Sequence, residues 1–377
     1  MRVLLLHSRY RSGSASGENR VVEDEVRLLR EGGHEVDVLT PEPDAQSVLA
    51  RGTLGASAVW SASAVRSVRD RIARSRPDVV HVHNVFPTLS PAVIRAAATE
   101  APVVMTLHNY RLHCLPGTLF RDGRVCTDCV GRVPWRGVAH RCYRGSTGAS
   151  AALATSLTVH RAIGTFDRVR LFLAVSEFVR ERYLLAGIEP SRIRTLPNFS
   201  WPMPRREGPG SHFLFVGRLS IEKGFEHLLR TWRDVEAPLV VVGDGPSFED
   251  GRRVPDGVSL VGRVAPPELA SLIAKSRAAV VPSLWLEPGS RVVIEAAAAG
   301  VPSIASRTGG LAEMVRDGIS GILVQPGDVR SLAEAATALL DDGTSARLGA
   351  GAEREWRERF TPERAFDGLV DAFREAS

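Results

Sequence analysis

Two carboxylates, Glu287 and Glu295, stand with seven residues between them in the run PSLWLEPGSRVVIEAAAAGVPS, residues 282–303. Glu287 falls in a turn-rich piece punctuated by Pro288, Gly289 and Ser290. Glu295 falls in Arg291–Ala299, an alanine-rich helix former that stops at Gly300. A strand over Ala278–Val281, then this loop, then the helix, leaves free backbone N–H groups at the helix start, and these suit a phosphate. A carboxylate two turns into a helix lies too far along to cap it. It is better placed to accept hydrogen bonds from paired hydroxyls such as those of a ribose. Spacing alone leaves the plain alternative open, a surface acid in a loop followed by an ordinary helical Glu.

Two histidines and four cysteines are the other candidates. His83-Asn84 follows the apolar run Asp78–Val82, and His108-Asn109 follows Val103–Leu107. In open α/β sheets ligands gather at the carboxyl ends of strands, although a lone His is more often a satisfied core or loop residue. Cys114, Cys126, Cys129 and Cys142 have the spacing C-x11-C-x2-C-x12-C, and no cysteine lies elsewhere. The C-x2-C pair suits a tetrahedral structural zinc or iron site, and the four together could close it. Reduced thiols, or one redox pair, are the alternative.

The elements that must position these groups read as α/β throughout. Short apolar runs at Val3–Leu6, Val36–Leu39, Leu171–Val175 and Ile193–Pro197 join the two above as buried parallel strands of a first half. Arg20–Glu31 is an amphipathic helix behind a polar loop, His7–Asn19, that holds Gly13 and Gly17. Thr53–Arg76 reads as one amphipathic basic helix, with Val65, Val68 and Ile72 on one side and Arg66, Arg69, Arg71, Arg74 and Arg76 on the other. The Pro- and Gly-rich segment Trp201–Gly210 is a linker. Strands at Phe213–Val216, Leu239–Val242, Val258–Val261, Ser303–Ser306 and Gly321–Val324 repeat the rhythm in the second half. The expected organisation is a first domain over 1–198, interrupted by a Cys-containing excursion at 110–146, a second domain over 199–355, and a closing helix at 356–377.

Charge divides along the same line. Met1–Asn198 holds 27 Arg, no Lys and 18 acids, whereas Phe199–Ser377 holds 21 basic and 25 acidic residues, so the whole excess of +5 comes from the first half. The only lysines are Lys223 and Lys275. No apolar run reaches the length of a membrane span or a secretory signal, and a cytoplasmic location is the default expectation.

The segment EPGSRVVIEAAAAGVPSIA resembles the E-x7-E signature of retaining glycosyltransferases of family 4, where the run is close to EPFGLVVIEAMAAGVPVVA. It departs at Gly289, Ser290 and Arg291, which the resemblance places beside the donor sugar. GRLSIEKG resembles that family's GR-L-x-x-EKG motif, in which the Arg and Lys hold the donor diphosphate; here they are Arg218 and Lys223, with Gly217 before them. Fixed cations suit a diphosphate that gains charge as it leaves. Thr106-Leu107-His108-Asn109 resembles a TLHD-like segment whose His contacts the donor sugar near the reacting carbon, with Asn in place of Asp. Val264 falls where the family's main chain reads the nucleobase, and Gly13 and Gly17 are a loose match to a Gly loop facing the cleft.

The resemblance implies a GT-B fold, two Rossmann-like doubly wound domains facing a central cleft. It implies metal-independent transfer of a sugar, with retention, from a nucleotide-diphosphate sugar to an unknown acceptor. Glu287 would take donor-sugar hydroxyls and Glu295 the ribose, and the absence of an Asp-x-Asp agrees with the lack of a catalytic metal. The basic first half suggests an acceptor that is anionic or lipid-linked, with peripheral contact at the inner membrane face through the Arg66–Arg76 helix; a plain solvated helix face with a neutral small-molecule acceptor is the alternative. A nucleotide-sugar epimerase of the same fold is the nearest rival. A phosphorylase of similar shape would need a further Lys for pyridoxal phosphate. A basic nucleic-acid-binding protein is disfavoured, since aromatics for stacking make up only 6% of the chain.

Overall fold

The computed structural model describes residues 1–9, 17–41, 50–248 and 253–377. The chain divides into two compact units, one formed by Met1–Leu119, Cys126–Leu196 and Phe366–Ser377, the other by Phe120–Val125 and Pro197–Ala365. Val, Leu and Ile runs make the strands because a strand covered on both faces has no polar side to show. The strands are β1 (Arg2–Leu6), β2 (Glu35–Leu39), β3 (Val79–Val82), β4 (Val103–Leu107), the small hairpin β5 (Phe120–Arg121) and β6 (Arg124–Val125), β7 (Leu171–Ala174) and β8 (Ile193–Thr195). The second half adds β9 (His212–Val216), β10 (Leu239–Val242), β11 (Val258–Gly262), β12 (Ser276–Val281), β13 (Ser303–Ser306) and β14 (Gly321–Val324).

The first unit is a six-stranded parallel sheet in the order β2-β1-β3-β4-β7-β8. Strand order reverses between β1 and β3, and a crevice opens at the carboxyl ends of strands flanking such a reversal. His7 and His83 follow those two strands directly. The last helix, Pro362–Ala376, contributes Phe366 and Phe373 to this unit, against His34 and His81. Phe366 fills the space beside Gly32, where an added Cβ would come within 2.1 Å of its ring.

The second unit has the parallel order β11-β10-β9-β12-β13-β14, with its reversal between β9 and β12. Alternation along these strands feeds two cores. Phe213, Phe215, Ala278 and Val280 join Trp232 and Leu228 on one face of the sheet, while Leu214, Ala279 and Val281 join Ile294 and Leu311 on the other.

The basic helix is not continuous. Two helices, Ala50–Val59 and Ala62–Ser75, meet at a break where Ser61 caps the second by accepting a hydrogen bond from the Ala64 N–H. Arg71 pairs with Asp37, leaving Arg66, Arg69, Arg74 and Arg76 exposed. The helix expected from Arg20 begins at Gly17, so this exposed Gly is the first helical residue rather than part of a loop. Gly13 lies outside the described residues. No helix of the described residues is long and apolar enough to cross a membrane.

Candidate active site

The reversal between β9 and β12 gathers the groups of the second unit. The loop after β9 carries Gly217, Arg218 and Lys223, and the loop after β12 carries Ser283, Trp285 and Glu287. Lys223 Nζ lies 2.7 Å from Glu287 Oε1 and 2.9 Å from Oε2. Glu287 Oε2 also accepts the Ser283 hydroxyl and the Trp285 Nε1–H, each at 2.7 Å, and Glu287 is only 3% exposed. The lysine ammonium lies 5.2 Å from the Trp285 ring centroid. Oε2 is thus saturated, and Oε1 keeps a lone pair beyond Lys223. A buried carboxylate paired with a cation and hydrogen-bonded in this way is held to one orientation.

Backbone closeness fixes this loop from below. The Gly309 Cα would place a Cβ 2.3 Å from the Glu287 carbonyl oxygen at φ +54°, so only glycine fits, and the Gly310 N–H donates to that same carbonyl at 2.7 Å. Gly243, at φ +135°, passes as closely over the Gly217 carbonyl. The helix Arg291–Ala298 then starts at Ser290 with no side chain capping it, and a helix start is where backbone N–H groups and the dipole suit an anion. One helical turn apart on it, Arg291 donates to Glu295 Oε1 at 2.8 Å. Gly289 is half-buried and Ser290 buried in the same loop. Arg218 stands out into solvent, its side chain 63% exposed and 4.0 Å from Glu222. Val264, just past β11, is half-buried against the second core, and Arg263 beside it pairs with Asp244 at 2.5 Å.

In the first unit, His108 follows β4 and lines a small recess with Glu18, His83, Asn109, Arg111 and Tyr183. Burial, and next the neighbouring His83, holds the His108 imidazole well below its usual pKa, so it is neutral near pH 7. Asn109 Nδ2 donates to Glu18 Oε1 at 2.6 Å, and the Tyr183 hydroxyl donates to the Asn109 carbonyl at 2.8 Å. Asn84 is structural, tying the end of β1 to that of β3 through the Ser8 and Phe86 carbonyls.

A chain of two doubly wound units is matched by known proteins. Residues 15–199 match the family model described as Glycosyltransferase Family 4, and residues 210–342 the model described as Glycosyl transferases group 1. A D-inositol 3-phosphate glycosyltransferase of Acidothermus cellulolyticus is 30% identical over 97% of this chain and 86% of its own. The chain belongs to glycosyltransferase family 4. A glycogen synthase of Mycobacterium tuberculosis is also 30% identical, over 74% of this chain, which spans 64% of that relative's length. The structure of Anabaena HepE in complex with UDP-glucose superposes with a TM-score of 0.65 at 17% identity, covering 99% of both chains. The fold is GT-B.

Asn109 has a local reason to stand where the family segment has Asp. An Asp there would set a second carboxylate against Glu18, where the Asn amide instead donates to it. Arg291, which departs from the family's Leu, binds Glu295 directly. Sequence reading missed Ser283 and Trp285 as partners of Glu287. The nearness of both to Glu287 in the chain was the available signal.

The cysteines do not gather as expected. None of the four is in a disulfide, and among the described residues no three of their sulfurs come within 4.8 Å of one another. Burial pushes the Cys114 thiol up to about 11. The Glu25, His81 and His83 side chains form the group that does converge to that distance.

Proposed function

We propose that this family 4 enzyme transfers a sugar from a nucleotide-diphosphate sugar to an acceptor hydroxyl with retention and without a catalytic metal. The observation that carries the reading is the buried Lys223–Glu287 pair at the β9/β12 reversal, beside an uncapped helix start. Lys223 keeps one N–H beyond Glu287 for a phosphate oxygen, and Arg218 supplies a second cation. Glu287 Oε1 takes a donor-sugar hydroxyl, Glu295 the ribose hydroxyls, and His108 contacts the transferred sugar. Gly289, Ser290 and Arg291 border that sugar, Gly217 lies against the diphosphate, and the Val264 main chain meets the nucleobase. The bond from the anomeric carbon to the diphosphate breaks, and the charge left on the phosphate is met by Lys223 and Arg218 instead of a divalent ion. That HepE holds UDP-glucose supports a nucleotide-sugar donor.

The test is a thermal-shift and transfer screen across nucleotide sugars, with product analysis with and without acceptor to separate transfer from epimerisation. Glu295→Ala is expected to weaken nucleotide-sugar binding about 10- to 100-fold, since a hydrogen bond to a charged group contributes about 1.5–3 kcal/mol. Unchanged affinity in a titration would remove the ribose assignment.

The acceptor is proposed to be anionic or presented at an anionic membrane surface, where the exposed Arg66, Arg69 and Arg76 would each contribute about 1 kcal/mol and be screened within a Debye length. Flotation with anionic liposomes should show binding at low salt that fails at high salt and in the triple Arg→Gln variant. Negligible binding by both proteins at low salt would leave a soluble acceptor.

A further inference from the structure

The first unit buries a line of ionisable side chains that the donor chemistry above does not use. His81 in β3 and His83 directly after it stand two residues apart, with ring centroids 4.3 Å from each other, against the helix Gly17–Glu31 from which Glu25 projects. All three are at most 5% exposed. Glu25 Oε1 lies 2.6 Å from His81 Nδ1 and 3.4 Å from His83 Nε2, close charge contacts in which none of the three buried atoms makes a well-aligned hydrogen bond. On its far side His81 Nε2 meets the Thr106 hydroxyl at 2.8 Å. On its far side His83 Nδ1 meets His108 Nε2 at 2.8 Å. The His83 and His108 rings are tilted by only 13° with centroids 5.1 Å apart, so the two nitrogens face each other edge to edge in nearly one plane.

Protons along this line are ordered by elimination. Burial would push the Glu25 carboxyl up, but the opposing pull of His81 and His83 brings it well below the usual range, so it is an acceptor only. At 3.4 Å from that carboxylate, His83 Nε2 is favoured as an N–H, because a lone pair there would be repelled by the charge. Burial holds His83 neutral, so its Nδ1 has a lone pair and accepts. His108 Nε2 must then donate, which leaves His108 Nδ1 without a proton.

We propose that Glu25 and His83 are positioning residues that lock His108 as its Nε2–H tautomer, so that His108 offers the Nδ1 lone pair to a hydroxyl of the bound sugar. The role of that hydroxyl rests on the transfer reading above; the tautomer does not. The logic is that of a ligand whose orientation and tautomer are set by the group behind it. A cation shared by Glu25, His81 and His83 is the competing arrangement. Ligands held about 2.0–2.2 Å from one zinc stand farther apart than the 2.6 Å seen between Glu25 and His81. A metal on His83 Nε2 would also move the His83 proton to Nδ1 and reverse the bond to His108.

The experiment is a long-range 1H–15N spectrum of the imidazole rings in the full-length wild-type chain, the His108 signals being assigned by their loss in His108→Gln. A protonated Nε2 and an unprotonated Nδ1 are expected at His108, with no zinc by elemental analysis. The Nδ1–H tautomer, or one metal ion per chain, would overturn the proposal. In His83→Gln, kcat should fall about 10- to 100-fold, the scale on which outer partners act at metal sites, with nucleoside-diphosphate affinity unchanged. A drop confined to that affinity would also count against it. Failure of every nucleotide sugar to serve as donor would sink the transfer reading and leave the tautomer result standing.

Discussion

Lys223→Ala should remove transfer and destabilise the second unit in one step. Glu287 would be left with its carboxylate side chain 4% exposed and no cation, held only by Ser283 and Trp285. Breaking a buried pair from one side typically costs about 3–5 kcal/mol, because the remaining charge stays out of water. For a domain of this size each kcal/mol lowers the melting temperature by roughly 2–4 °C. Glu287→Ala leaves a different residue behind. Lys223 has a side chain 27% exposed and can turn to solvent, so the loss there comes chiefly from two unpaired donors at Trp285 and Ser283. The sharper result comes from the double variant Lys223→Met, Glu287→Gln. It should recover much of the stability lost in Lys223→Ala, as neutral replacements of buried pairs often do, and none of the turnover. Denaturant midpoints and initial rates on the three proteins decide this. Transfer restored in the double variant would mean the pair is a structural clasp and nothing more.

That pair also marks where sequence reading ends. Strands such as Val103–Leu107 and Leu239–Val242 are legible because parallel strands buried on both faces are written as unbroken apolar runs. Their order in the sheet is not written locally. Nothing near Lys223 says that β9 lies beside β12, so its meeting with Glu287, 64 residues on, emerges only from the topology. The pairing of Glu25 with His81 and His83 has the same origin: the shared face of the two histidines follows from a two-residue period, but the helix that covers it does not. The break at Ser61 was hidden for another reason. Val65, Val68 and Ile72 make one apolar face that reads as a single helix, and only the Ser61 cap on Ala64 signals a new start. The cysteine spacing was legible, but spacing constrains which sulfurs can meet without making them do so.

Arg218→Ala should act on rate alone, the reverse pattern to Lys223→Ala. Its side chain is 63% exposed and its ion pair with Glu222 spans 4.0 Å, so its removal should shift stability by no more than about 0.5 kcal/mol. Its proposed work is on charge that develops only as the sugar leaves the diphosphate, and a fixed cation at such a point is often worth about 100-fold or more in kcat. Because that charge is small in the bound donor, KM should change much less than kcat. Arg218→Lys should recover part of the rate, keeping the charge while losing the planar fork that matches two phosphate oxygens. Full steady-state kinetics on the wild type and both variants, with melting temperatures alongside, read these differences. If Arg218→Ala keeps kcat within about threefold of wild type at unchanged stability, the diphosphate is not held there, and Lys223 with the Arg291 helix start must carry its charge instead.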